Sequence, residues 1–440
     1  MGMKMVDIPT IKNRPVQRLI EPIVRFMHIQ AMGGLVLFCC TMIALWTANS
    51  QFTVWYQSFW NQTLGITIGE FSISYPIWYW VNDGLMVIFF FVIGLEIKRE
   101  LTTGELSEKR NVILPVAAAL GGAITPAIIF IFIIQGQSGQ EGWAIPMATD
   151  IAFVIGALSI LGKRVPHSLK IFLLSVAIVD DLLAVSVIAL FYTESIQISW
   201  LLISLCGFCG IIILNRLGVR AISVYVAMGC GIWLAVHNAG IHPTIAGVIL
   251  GLMTPTKSFV DRKTAITAFN SLGSALESKN KMLGINEKYS MSRIAQFTAK
   301  ESVSPLDRLE KGLHPWVAFI IMPLFALANA GVSFQDMNLG ESLSMAVTIG
   351  LVIGKPLGIV ISTLIVIGFR WVKLPRGLSW PIMIGAGFLS GIGFTMSLFI
   401  ATLGLEGELL ELAKGGVLLG SAISIILGGG ILLATLRAKI

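Results

Sequence analysis

The sequence predicts an all-α polytopic membrane protein with twelve transmembrane helices. Of its 440 residues, 55% are hydrophobic and only 12% are charged, whereas a soluble domain carries about 25% charged residues. Apolar runs long enough to cross a bilayer, about 17 to 25 residues each, recur along the chain. Lys and Arg collect in alternate connecting segments. The net charge of +7 therefore reflects membrane topology and gives no reason to expect nucleic acid as a partner.

The twelve spans follow one another through most of the chain. In order, they are predicted at residues 30–48, 77–97, 111–134, 142–161, 168–192, 197–214, 221–236, 242–255, 315–334, 343–369, 378–403 and 414–436. Alternate connecting segments, counted with the span ends that adjoin them, hold 29 of the 31 Lys and Arg residues. Since basic residues favour the cytoplasmic side, both termini are expected to be cytoplasmic.

This topology divides the chain into five parts. They are a cytoplasmic N-terminal segment (1–29), spans one to eight (30–255), a cytoplasmic loop (256–314), spans nine to twelve (315–436) and a cytoplasmic C-terminus (437–440).

Four charged residues lie deep inside the predicted spans, away from their ends. Asp180 and Asp181 are adjacent in the fifth span, "SVAIVDDLLAVSVIALF", Asp150 is in the fourth and Lys355 is in the tenth. Each costs about 2.5 to 3.5 kcal/mol at a helix centre. Structural ion pairs between helices are one interpretation. However, three acids and one base cannot neutralise one another, so the surplus acids must hold protons or a cation. That requirement indicates exchange of a cation for protons.

The fourth and eleventh spans are also interrupted. Pro146 and Thr149 precede Asp150, and three glycines lie between residues 387 and 393 in "AGFLSGIGFTMSLF". Glycine in a membrane helix can serve close packing alone. Interruptions at corresponding places in two halves, however, are typical of a transporter site at the bilayer midplane. The exposed helix ends carry about half a unit charge each. Asp150 would suit the positive ends and Lys355 the negative ends.

Several stretches carry a family resemblance. They include "VNDGLMVIFFFVIGLEIKREL", "EGWAIPMATDIAFVIGALSILGKRVP", "LKIFLLSVAIVDDLLAVSVIALFYT", "LHPWVAFIIMPLFALANAGVS", "GIHPTIAGVILG", "IGKPLGI" and "SGIGFTMSLFIA". In these the chain resembles the NhaA-type sodium/proton antiporters, which are inverted-repeat transporters. The resemblance implies inverted-topology repeats (spans three to five and ten to twelve) and two broken helices that cross at mid-membrane. It also implies a homodimer in the bacterial inner membrane.

The resemblance further implies an activity without enzymatic chemistry or a cofactor. Na⁺ or Li⁺ would leave the cell by alternating access as H⁺ enters, with two protons for each cation. Asp180 and Asp181 would bind the cation and protons in turn, with the Thr149 hydroxyl as a further ligand for Na⁺. Asp150 and Lys355 would compensate the broken helix ends, and Lys355 would also be placed to carry a proton.

A second set of residues is implied in pH regulation. Glu96 and Arg99 in "GLEIKREL" would form a network with Glu310 in "DRLEKGLHPW" at the cytoplasmic funnel. A charged helix end at the membrane interface explains the first motif equally well. The residue after Glu310 is Lys311, where members of the family often have histidine. The resemblance therefore does not define the pH at which this chain is activated.

Two loops have distinct patterns. The loop 256–314 carries 10 basic and 6 acidic residues, which predicts a cytoplasmic appendage with short helices or partial disorder. Residues 49–76 include "LGITIGEFSISY", whose alternation predicts a small strand pair; in the family, a periplasmic hairpin here joins two subunits. His237 and His242 are expected to be structural. Asp83 is predicted to be a helix N-cap or a residue of the ion path.

Two other function classes could also use acids within membrane helices. An intramembrane aspartyl protease needs acids on different spans in motifs such as GxGD, which "ATDIA" and "VDDLL" do not provide. A channel, or a transporter for a larger solute, could use a cavity between broken helices. The paired acids and the buried Lys355 favour proton coupling over both alternatives.

Overall fold

The structure is a computed structural model that describes residues 30–68, 71–104, 107, 109–193, 196–219, 222–277, 285–334, 338–375 and 377–437. Within these ranges, eight helices are long and apolar enough to cross a membrane, and two bent helix pairs raise the number to ten when each pair counts as one span. The chain is therefore a multi-pass membrane protein. The predicted segment 1–29 and residues 438–440 lie outside the described ranges.

Most helices overlap the predicted apolar runs, although the helix at the predicted ninth span (315–334) begins ten residues earlier. In chain order they are α1 (Gln30–Ala48), α2 (Thr53–Asn61), β1 (Thr63–Ile68), β2 (Phe71–Pro76), α3 (Ile77–Thr102), α4 (Lys109–Ile134), a 3-10 helix (Gln140–Met147), α5 (Ile151–Leu161), α6 (His167–Phe191), α7 (Ile198–Arg216), α8 (Ile222–Asn238), α9 (Thr244–Met253), α10 (Arg262–Glu277), α11 (Ile285–Glu301), α12 (Pro305–Asn329), α13 (Ser342–Gly368), α14 (Trp380–Ser390), α15 (Phe394–Gly404) and α16 (Gly407–Arg437).

The two strands form an antiparallel pair in the loop where the alternating pattern predicted one. Thr63 lies opposite Pro76, and Gly65 lies opposite Ser74. The pair stands between α2 and α3, so it belongs to the connection after the first apolar helix.

Both predicted helix interruptions are present. Residues 148–150 are not helical and separate the 3-10 helix from α5. The axes of α14 and α15 differ by 43° around residues 391–393. A further irregularity lies in α13, where a π-helical turn (Gly350–Gly354) ends directly before Lys355. Such turns are frequent at functional sites, and this one immediately precedes the buried lysine.

Small residues permit the close helix packing around the site. A Cβ atom on Gly94 of α3 would lie 2.5 Å from the Val248 carbonyl oxygen and 3.1 Å from the Gly251 Cα of α9. Likewise, a Cβ on Gly121 of α4 would lie 2.5 Å from the Ser362 Oγ of α13. Small residues at these crossings let membrane helices approach closely, so larger side chains would separate the pairs.

The buried apolar residues form one large cluster and one small one. The large cluster joins α3 to α6 with α12 to α16. The small one, Ile211, Ile232, Val236 and Ala246, lies between α7, α8 and α9. Only 11% of the most apolar stretch of α7 is buried. The helices α7 and α8 are thus an outer layer, and the charged residues lie inside the main core.

Candidate ion-binding site

The two interrupted spans meet at their breaks. The Asp150 backbone N–H donates a hydrogen bond to the Ile392 carbonyl oxygen, with 2.7 Å between the atoms. Asp150 directly precedes α5, and Ile392 lies in the break before α15. This contact brings four helix ends into one buried region. The site is built around those ends.

The Asp150 carboxylate lies at the start of both α5 and α15. Its Oδ1 accepts a hydrogen bond from the Phe153 N–H at 3.1 Å, as in an N-cap. Its Oδ2 accepts from the Thr395 N–H at 3.1 Å and from the Thr395 hydroxyl. Because each helix N-terminus carries about half a positive charge, one carboxylate balances both. Asp150 is 1% exposed, so this balance replaces solvation by water.

Lys355 lies at a negative helix end. Its ammonium donates hydrogen bonds to the carbonyl oxygen of Met147, the last residue of the 3-10 helix, and to Asp180 Oδ2 at 2.5 Å. The side chain is completely buried. A second negative end, that of α14, has a different partner: the Ser390 carbonyl oxygen lies 2.9 Å from the Thr149 hydroxyl. The two negative ends thus have different side chains as partners, Lys355 at Met147 and Thr149 at Ser390.

The adjacent aspartates face different surroundings. Asp180 Oδ2 lies 2.6 Å from the Thr149 hydroxyl and 2.5 Å from the Lys355 ammonium, while its Oδ1 is buried and accepts no hydrogen bond from the described residues. Asp181 instead lines a cavity of about 100 Å³, together with Thr149 and Asp150. Successive side chains on a helix point about 100° apart, at 3.6 residues per turn, so adjacent acids can divide in this way.

The charges in this region do not cancel. Asp180 pairs with Lys355, and Asp150 faces two helix N-termini. No cationic side chain among the described residues is paired with Asp181 in the structure. A buried carboxylate is stable only when a proton or a cation balances it. Asp181 is consequently the group in this site that is best placed to exchange one for the other.

Part of the second predicted network is assembled at the same cavity. The Arg99 guanidinium donates a hydrogen bond to Glu310 Oε1 and lies 3.6 Å from Glu100 Oε1. Glu96 lies about one helical turn before Arg99 on α3, and it lines the cavity together with His314 of α12. His314 was not singled out in the sequence. Its spacing of four residues from Glu310 places both on one face of the helix, which is the signal that would have indicated it.

A polar cluster lies at the opposite end of α3. Asp83 Oδ1 is 3.5 Å from His242 Nε2, and His242 Nδ1 is 2.8 Å from the Thr244 hydroxyl. Next to it, Asn82 and Asn329 exchange two side-chain hydrogen bonds, of 3.1 and 2.7 Å, and both are buried. The sequence reading missed this amide pair, whose signal is an asparagine within each of two apolar spans.

Known proteins resemble the chain along almost its whole length. The sequence profile of the family described as Na⁺/H⁺ antiporter 1 matches residues 24–432. The Na⁺/H⁺ antiporter NhaA of Rhodopirellula baltica is 48% identical over 423 residues, which cover 96% of each chain. The Na⁺/H⁺ antiporter NhaA 2 of Vibrio vulnificus is 43% identical, covering 96% of this chain and 94% of that protein.

A third relative gives the same result. The Na⁺/H⁺ antiporter NhaA of Rhizobium meliloti is 43% identical over 424 residues, which cover 96% of each chain. The matched region includes both broken spans, the aspartate pair and Lys355. The profile match and the identities together show that the chain belongs to the Na⁺/H⁺ antiporter 1 family.

Proposed function

We propose that the chain exports Na⁺, or Li⁺, in exchange for H⁺ by alternating access at the site around Asp181. Membership of the Na⁺/H⁺ antiporter 1 family supports the reaction. The observation that carries the assignment to this site is the position of Asp181, a buried carboxylate on a cavity wall whose neighbours Asp150 and Asp180 already face positive partners.

The oxygens around the cavity suit a small hard cation. Carboxylate, hydroxyl and carbonyl oxygens are the ligands that such ions prefer. Asp181 and Thr149 line the cavity, and Asp180 lies 2.6 Å from the same threonine hydroxyl. We assign Asp181, Asp180 and Thr149 as the ligands of Na⁺. Protonation of the two carboxylates would remove the charge that holds the cation and release it.

Two protons for each sodium ion would make the exchange electrogenic. One net positive charge would then enter the cell in each cycle, and the membrane potential would contribute about 2.3 kcal/mol per 100 mV. Asp181 accounts for one proton carrier. The second is Asp180 or Lys355, because the ammonium of Lys355 lies on Asp180 and the pair can share or lose one proton. Two coupled groups of this kind titrate as a unit.

The contact between Arg99 and Glu310 supports a role in pH regulation. Glu96 lines the cavity, while Arg99 and Glu310 pair between α3 and α12 beside it. A change of protonation in this network would alter the packing of α3 against α12 and thereby access to the cavity. Lys311 is exposed at the next position and places a basic side chain there.

The proposed topology has twelve crossings and both termini in the cytoplasm of the bacterial inner membrane. It is obtained when each bent helix pair forms one crossing and the shorter apolar helices α8 and α9 also cross. The spans are then 30–255 and 315–436, with the loop 256–314 and the end 437–440 inside. The inverted repeats, the periplasmic side of the β1–β2 pair and a homodimer joined there are parts of the same proposal.

The test is an exchange assay in everted membrane vesicles. Addition of Na⁺ to respiring vesicles should reverse the quenching of a pH-sensitive dye when the wild-type chain is present. Asp181→Asn should remove this response, and the exposed loop substitution Asp261→Asn is the matched control that should retain it. Full exchange by Asp181→Asn would disprove the assignment. A sodium current without proton movement would indicate a channel, and cleavage of a membrane peptide would indicate a protease.

A further inference from the structure

The segment between α9 and α12 is a pair of helices held close to the ends of two apolar helices. The Phe259 and Val260 N–H groups both donate hydrogen bonds to the Glu301 carbonyl oxygen, at 3.1 and 3.0 Å. The Leu306 N–H donates to the Pro255 carbonyl oxygen at 3.2 Å. These contacts join the start of α10 to the end of α11, and the end of α9 to the start of α12.

Each helix of this pair exposes large apolar side chains. On α10, Ile266 and Phe269 are 51% and 45% exposed, although Ala265 on the adjoining face is buried. On α11, Ile294 is 51% exposed and Thr298 is buried. Ile266 and Phe269 are three residues apart and thus share one helix face. Both helices therefore carry an exposed apolar strip beside positions that are buried.

The charges around these strips are mainly positive. Residues 256–304 contain eight Lys and Arg residues but four Asp and Glu residues. Asp261 caps α10, since its Oδ1 accepts a hydrogen bond from the Thr264 N–H at 3.2 Å. Glu301 is buried and lies 3.4 Å from Arg308. Lys263, Arg293 and Lys300, in contrast, are exposed.

We propose that α10 and α11 lie on the surface of the membrane that the chain spans and bind the anionic headgroups of its phospholipids. Amphipathic helices with basic and apolar faces bind membrane interfaces by this combination of forces. Ile266, Phe269 and Ile294 would enter the boundary between headgroups and acyl chains. Lys263 and Arg293 would contact the phosphates.

The short connection to the spans favours the membrane over a distant partner. Eight residues separate Met253 at the end of α9 from Arg262 at the start of α10. Even fully extended, they reach at most about 30 Å, and the hydrogen bonds at residues 255 and 259–260 shorten this distance further. The helix pair is thus tethered near the ends of α9 and α12, where a membrane crossed by these helices has its headgroups. This proposal depends on membrane insertion alone and not on the exchange reaction.

The test uses the full chain in nanodiscs, where both membrane faces are accessible and the result is independent of topology. The five native cysteines are replaced by serine, and single cysteines at Phe269 or Ile294 carry an environment-sensitive fluorophore. Ser271 and Gln296, which are exposed on other faces of α10 and α11, are the matched control positions. Brominated phospholipids in the nanodisc then report the contact of each fluorophore with the acyl chains.

In nanodiscs that contain phosphatidylglycerol, the labels at Phe269 and Ile294 should be quenched strongly and those at Ser271 and Gln296 weakly. Lys263→Gln with Arg293→Gln should lower the ratio of bound to free helix pair by roughly 25-fold, about five-fold for each basic residue. Equal, weak quenching at all four positions would overturn the proposal. Quenching that is unchanged in pure phosphatidylcholine would also overturn it. So would a difference between the test and control positions that appears only when a nanodisc contains two copies of the chain.

Discussion

At the scale of single residues, the site depends on how two adjacent acids divide their partners. Asp180 is held between the Lys355 ammonium and the Thr149 hydroxyl, whereas Asp181 faces the cavity. The first acid is part of a buried ion pair that joins α6 to α13. The second acid, Asp181, lines the cavity in which an ion could bind. Loss of one acid should therefore impair stability, and loss of the other should impair transport alone.

Asp180→Asn and Asp181→Asn make the same chemical change and separate these roles. Asp180→Asn leaves the buried Lys355 without a countercharge, and removal of one partner of a buried pair costs about 3 to 5 kcal/mol. It should lower the unfolding temperature of the purified protein clearly. Asp181→Asn should unfold at or above the wild-type temperature while lacking exchange. Similar unfolding temperatures for the two variants would contradict this division.

Lys355 can be tested for its two proposed roles. Lys355→Arg keeps a positive charge near the Met147 carbonyl at every relevant pH, so folding and electrogenic exchange should persist if compensation is sufficient. If Lys355 carries a proton, the arginine variant should remain stable but change the charge moved per sodium ion on a supported membrane. Lys355→Ala should lose stability. Lys373→Ala, which removes an exposed lysine side chain, is the control and should change stability by less than about 0.5 kcal/mol.

At the scale of elements, Asp150 serves two helices at once. It caps α5 through the Phe153 N–H and accepts from the Thr395 N–H at the start of α15. Asparagine caps a helix about as well as aspartate but has no charge, and alanine has neither property. A charge at one helix end contributes about 0.3 to 1 kcal/mol of stability, or up to about 2 kcal/mol in buried geometry. Since Asp150 faces two helix ends, removal of its charge should cost about twice as much stability as at one end.

The substitution series at this position should consequently show three levels of stability. The unfolding temperature should fall modestly from wild type to Asp150→Asn and further to Asp150→Ala. A series at Asp307, which lies in the first turn of α12 next to the Ser304 cap, provides the single-helix comparison and should give a smaller effect. Equal losses at the two positions would show that Asp150 acts on one helix only.

Much of this element structure is readable in the sequence, and some of it is not. The breaks at residues 148–150 and 391–393 follow from local signals, namely a proline with a polar pair and a run of glycines. The rotation of α6, which sends Asp180 to Lys355 and Asp181 to the cavity, depends on packing among four helices and leaves no local signal. The amide pair between Asn82 and Asn329 joins residues 247 positions apart, so only the folded chain shows it.

At the scale of the whole molecule, the topology remains a prediction from the distribution of Lys and Arg. A membrane-impermeant thiol reagent added to intact cells should label Ser138→Cys, in the exposed turn after α4. It should not label Ser271→Cys on α10, which should react in everted vesicles. Both variants are made without the five native cysteines. Labelling of Ser271→Cys from outside would contradict the twelve-span arrangement with the loop 256–314 in the cytoplasm.

The contact of Thr149 with two acceptors has a consequence for how a proton signal moves through the molecule. A hydroxyl has one hydrogen to donate, yet two acceptors lie within reach of the Thr149 Oγ1. Asp180 Oδ2 is 2.6 Å from it and the Ser390 carbonyl oxygen is 2.9 Å from it. While Asp180 is ionised, the hydrogen points to the carboxylate. Once Asp180 is protonated, the acid becomes the donor and the threonine hydrogen turns to the carbonyl at the end of α14. The orientation of the hydroxyl thus couples the protonation of Asp180 on α6 to the hydrogen bonding of the Ser390 carbonyl at the end of α14. An isotope-edited infrared band of the Ser390 carbonyl should shift on acidification in the wild type and stay fixed in Thr149→Val.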